Sequence, residues 1–262
     1  MKKFKTLYAT GCSHTAAGGL WWHQSIEWYG KHHNIFYKNE KDVAYPKVLA
    51  DLMELKCVNT AKSGSGAKRL IRKTWEYIRE VGLESAKDTL FILQINNPLV
   101  RLDFYCNELE RYLVVNCRFD NDGKIDWIES CDSHPNPSKP RVEFEKYTKN
   151  IQSYLENHYD LKGEYDILGM QFLGLISFFE LHNIEYFIEA TDGFFINYLV
   201  NESTKNRIIN IEDSNALNLW AYKNNKLISD ETNGYAGDNH AGLFANREWA
   251  GKLKIFIEER IK

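Results

Sequence analysis

The chain lacks any long apolar run, and with it a segment able to span a bilayer. Its amino end, Met1-Lys2-Lys3-Phe4, leads straight into a strand-like stretch rather than a signal peptide's apolar core, so the expected location is cytoplasmic. An excess of one charge is missing too. Its 33 basic residues stand against 36 acidic ones, which gives no global pull toward nucleic acid or an anionic membrane. Cysteine is sparse: Cys12, Cys57, Cys106, Cys117 and Cys131 are odd in number and lack metal or redox spacing, so reduced thiols are expected. No repeat or low-complexity linker divides the 262 residues, and one domain with an ample core is the simplest organisation.

Phosphate-binding signatures are absent as well. Gly64-Ser65-Gly66-Ala67-Lys68-Arg69 has neither a glycine–lysine–hydroxyl ending nor the third glycine of a dinucleotide turn. His23, His32 and His33 show no metal spacing. The basic run Lys68, Arg69, Arg72 and Lys73 has no groove motif or interleaved aromatics beside it, so a solvated helix face is the simpler reading.

What is present is an alternation of strand and helix patterns. Residues 4–10 read as a first buried strand ended by Gly11, and Lys56-Cys57-Val58-Asn59 as a second. Thr89–Ile95 is a continuous apolar run of the kind buried on both faces, stopped at Asn96-Asn97-Pro98. Ile184–Ala190 is a fourth strand and Ile208–Ile211 a short fifth. Helical spacing covers Asp42–Leu55, Lys68–Val81, Val142–Tyr159, Tyr165–His182 and Phe244–Ile261. Residues 15–39 read as a helix start followed by a long aromatic loop, and 103–142 as an insertion with a hairpin turn at Asn121-Asp122-Gly123. The pattern predicts an α/β fold: a three-layer α/β/α sandwich around a central, mostly parallel five-stranded sheet.

In such a sheet ligands sit beyond the carboxyl ends of the strands. Ser13 follows the first strand, Gly64 lies in the turn after the second, and Asn96 and Asn97 follow the third. Asp238 and His240 precede the last helix. Together these supply what acyl transfer needs: a hydroxyl, an imidazole to take its proton, a carboxylate to orient the imidazole, and donors for an oxyanion.

Gly11-Cys12-Ser13-His14-Thr15, Asn59-Thr60-Ala61-Lys62-Ser63-Gly64 and Asp238-Asn239-His240 occur in this order across almost the whole chain. They resemble the first, second and fifth blocks of the SGNH hydrolases, the GDSL esterase/lipase family, of a divergent phage or bacterial type. The resemblance implies an SGNH, flavodoxin-like fold and a serine esterase or deacylase that needs no metal or cofactor. Ser13 would be the nucleophile, His240 the base, Asp238 its orienting acid, and Gly64 an oxyanion donor. Cys12 stands where that family most often has aspartate. Gln94-Ile95-Asn96-Asn97 lacks the glycine of the third block, which leaves Asn96 and Asn97 both open as the oxyanion asparagine. The acid also stands two residues before the histidine instead of the usual three. The implied substrate is a small-molecule or carbohydrate ester, first of all an O-acetyl ester. The rival readings are a non-catalytic binding protein that keeps the fold and, third, a nucleic-acid-associated enzyme acting through the basic helix.

Each candidate also has an ordinary explanation. Ser13 after a strand reads as a turn residue, and Asn96 and Asn97 as satisfying turn backbone. His14 either lines the entrance or packs the turn. Arg101 either meets an anionic substrate or forms a structural ion pair. Trp21, with Trp22 and Trp28, either floors a pocket or belongs to the core. Asp132-Ser133-His134 repeats the acid–x–histidine pattern, but it lies in a proline-rich loop with no helix directly after it.

Overall fold

The computed structural model describes residues 4–20, 23–95, 101–106, 110–119, 125–130, 141–158, 161–191, 204–236 and 238–261. Its central strands are β1 (Thr6–Thr10), β2 (Lys56–Asn59), β3 (Thr89–Ile95) and β7 (Glu185–Ala190). They run side by side in the order β2-β1-β3-β7, every pairing parallel. The chain leaves β1 for β2 on one side and returns to the other side for β3. At such a reversal, beyond the carboxyl ends of β1 and β3, open α/β sheets generally bind their ligands.

Alternation along the strands feeds two cores. Leu7, Ala9, Leu90, Ile92 and Phe187 face one side, where α2 (Tyr45–Leu52) and α9 (Leu243–Glu258) cover them, joined by α7 (Leu217–Lys223). Tyr8, Phe91, Leu93, Tyr186 and Ile188 face the other, against α3 (Ala67–Val81) and α6 (Leu161–Leu181). With helices on both faces, strand β3 is buried from end to end, and this explains its largely apolar reading. The architecture is therefore α/β, with a parallel sheet between two helical layers.

The expected fifth strand at Ile208–Ile211 reduces to a single parallel bridge between Ile188 and Ile208, so the sheet has four strands among the described residues. Glu212 and Asp213, with φ of 52° and 56°, turn the chain back so that Ile211 bridges to Ser214. An extended run cannot continue through such a turn. Part of the expected insertion forms a separate antiparallel sheet of β4 (Arg101–Cys106), β5 (Arg111–Phe119) and β6 (Ile125–Ser130). The turn at Asn121-Asp122-Gly123 and the Asp132-Ser133-His134 stretch lie outside the described residues.

Residues 15–39, read as mostly loop, contain helix α1 (His23–His33), whose Tyr29 is fully buried. Three shorter helices also escaped the periodicity: α4 (Leu83–Lys87), α7 and α8 (Ile228–Glu231). The remaining helix, α5 (Arg141–His158), begins and ends within a residue of its expected bounds. No helix among the described residues is long and apolar enough to cross a membrane.

Candidate active site

Strand β1 ends at Thr10, and the chain folds at once into a tight turn. Ala16 N–H donates to Cys12 O at 3.0 Å and Gly18 N–H to Ser13 O at 2.6 Å. The parallel ladder continues past the strands, with Thr60 N–H donating to Ala9 O and Lys62 N–H to Gly11 O. Asn59 ties the two turns together: its Nδ2 donates to Thr15 O at 3.1 Å while its Oδ1 accepts from Ala61 N–H at 3.0 Å. Gly18 sits where the turns meet. A side chain there would lie 2.8 Å from Ser13 Cβ and 2.9 Å from Ser63 Oγ. Gly64, with φ of 80°, is thus carried to the same edge as Ser13. Neither the Ser13 nor the Gly64 amide donates to another described residue.

The loop between α8 and α9 carries the candidate acid and base, Asp238 and His240. Asp238 Oδ1 accepts from the backbone N–H of His240 at 2.7 Å and from its Nδ1 at 2.6 Å. One oxygen therefore satisfies both groups, which is how a two-residue interval suffices. A carboxylate on Nδ1 assigns the proton to that nitrogen and leaves Nε2 as the acceptor. Burial pushes the Asp238 carboxyl up, but the hydrogen bonds and charge of His240 outweigh it and hold the group below its ordinary value.

The two halves meet at Gly19. Its φ is 87°, and a Cβ there would stand 2.8 Å from the Asp238 carboxylate, so only glycine lets the Ser13 turn lie against the acid. The His14 and His240 rings lie 4.9 Å apart, centre to centre. The turn that bears Ser13 and His14 therefore lies against Asp238 and His240. The Ser13 hydroxyl donates only weakly, to Cys12 Sγ at 4.0 Å, and no hydrogen bond joins it to His240 among the described residues.

Behind the turn lie polar residues that motif reading passed over. Gln94, fully buried near the end of β3, accepts from Cys12 N–H at 3.0 Å and Cys12 Sγ–H at 3.2 Å. Its Nε2 has no partner among the described residues. Across the ladder Gln94 pairs in register with Glu189, also fully buried. Glu189 accepts from Tyr45 Oη at 2.5 Å and from Leu217 N–H at 2.6 Å. Burial pushes the Glu189 carboxyl up to about 7, against the downward pull of those hydrogen bonds. Each places a buried polar side chain near the carboxyl end of its strand. That was the signal available in the sequence.

Asn96, Asn97 and Trp21 lie outside the described residues, and Arg101 opens β4 with its side chain likewise undescribed. Trp28 packs with Tyr29, His32 and His33 on α1 rather than beside Ser13. No cluster of His, Cys, Asp and Glu able to hold a metal occurs among the described residues. A cavity of about 620 Å³ between β2 and α3 is lined by Lys5, Lys56, Lys73, Glu76, Glu80 and Asp88 among others, and includes none of the candidate catalytic residues. No protein-family model matches the chain, and no curated protein or solved structure matches it either.

Proposed function

We propose that this chain is a serine hydrolase of SGNH type that cleaves an ester through an acyl-enzyme on Ser13. The observation that carries this reading is the Asp238–His240 pair, 2.6 Å apart, set against the turn that bears Ser13. In this reading Ser13 Oγ rotates away from Cys12 and gives its proton to His240 Nε2 as it attacks the acyl carbon. Asp238 stabilises the imidazolium through Nδ1–H. The Ser13 and Gly64 amides, with Asn96 or Asn97, donate to the oxyanion. His240 then returns the proton to the leaving alcohol, and water repeats the sequence to free the acid. The SGNH type of sandwich belongs to the same proposal, as does a small-molecule or carbohydrate O-acetyl ester as substrate, with His14, Trp21 and Arg101 lining the approach.

A fluorophosphonate probe tests the nucleophile directly. Covalent labelling of the wild type at Ser13, absent in Ser13→Ala, is the expected result, together with a fall of about 10³-fold or more in turnover of aryl acetates. A binding protein that keeps the fold is favoured by one observation: Ser13 Oγ is turned to Cys12 Sγ rather than to His240. Folded wild type that resists the probe would decide for that second reading.

A further inference from the structure

The Asp238–His240 loop is held at both ends by α8, a helix of four residues that no motif marks. The amide of Ile228 donates to His240 O at 2.8 Å and that of Ser229 to Asp238 O at 3.1 Å. At the far end of α8, the Glu231 carboxylate reaches the start of α9. Glu231 Oε2 accepts from Phe244 N–H at 3.1 Å and Oε1 from Ala245 N–H at 2.8 Å. Gly242, which precedes α9, has no side chain to cap the helix, and a Cβ there would run into this carboxylate. The cap is therefore supplied from another element, which satisfies amides that would otherwise be orphaned. Tyr29 of α1 completes it: its hydroxyl donates to Glu231 Oε2 at 2.6 Å and accepts from Leu243 N–H at 3.1 Å.

We infer that Glu231 is a positioning residue for the acid–base pair. Its carboxylate locks the first turn of α9 against α8, and this fixes the short span from Asp238 to Gly242 at both ends. Among the described residues, the titratable groups set against His240 are Asp238 and His14. Glu231 touches neither and acts through the backbone. The kinetic part of this inference rests on the esterase reading; the geometric part does not.

Long-range ¹H–¹⁵N correlation spectra of the full chain, recorded near pH 9 where imidazoles are generally neutral, report which ring nitrogen of His240 carries the proton. The wild type is expected to show the Nδ1–H form. In Glu231→Gln one acceptor oxygen becomes an NH2 that meets an N–H or O–H donor whichever way the amide turns, and in Tyr29→Phe the bridge is gone. Both variants are expected to shift the His240 signals toward those of an Asp238→Asn control. In a working esterase, kcat should also fall about tenfold with KM within about twofold. Wild-type His240 signals in either variant, with folding confirmed by circular dichroism, would overturn the inference even if the chain hydrolyses nothing. If neither variant folds, Glu231 serves stability alone and the inference fails as well.

Discussion

Gln94 pins the amide that precedes Ser13, and it does so with a spare N–H of its own left buried. Replacing it with leucine orphans Cys12 N–H, which ordinarily costs about 1–3 kcal/mol, but also removes the unpartnered Nε2. The net loss of stability in Gln94→Leu is therefore expected near about 1 kcal/mol by urea unfolding. If the esterase proposal holds, aryl-acetate turnover in this variant should fall as well. Glu189 behaves differently. Burial raises its carboxyl from the ordinary 4.5 to about 7, so the folded chain holds this proton more tightly than the unfolded one. The stability it lends is complete below about pH 4.5 and is lost as pH rises through about 7. Glu189→Gln should flatten that decline, which amounts to about 3 kcal/mol, in urea midpoints measured across this window. The turns that carry Ser13, Asp238 and His240 were legible from sequence because their small and polar residues announce them. Glu231 was not, because its partner Tyr29 lies 202 residues away and nothing local marks either one.

Among elements, the long ones were readable and the short ones were not. Helix α3 and strand β3 carry enough periods of their pattern to stand out, and the structure reproduces β3 residue for residue. Helices of four to seven residues, such as α8 and α7, span too few turns for a periodic signal. They form because tertiary contacts select them. The last helix, α9, matters most, since it follows directly from the acid–base loop. Its Trp249 is fully buried and meets Trp220 at 5.9 Å. Trp249→Ala is expected to cost about 3–5 kcal/mol in chemical denaturation. The loss should be mainly of packing, because the indole N–H has no acceptor among the described residues.

For the whole molecule, the near balance of charge leaves binding to local features, and the basic stripe on α3 is already spent. Lys68 pairs with Glu164, and Arg72 and Lys73 both pair with Glu76. Arg69 donates to Thr60 O at 2.9 Å. With these cations engaged inside the chain, mobility-shift titration with DNA or RNA at physiological salt should show no specific complex. The candidate site itself is a product of topology. A turn close to the amino terminus and a loop close to the carboxyl terminus meet only after the sheet has closed, so the site's assembly depends on contacts distant in sequence.

The single oxygen shared by the amide and the ring at Asp238 closes that tripeptide on itself. Carboxylate and imidazole are tied together within three consecutive residues, and α8 anchors the backbone at both of them. In this chain a short interval couples the two groups, and a neighbouring helix fixes where the couple sits.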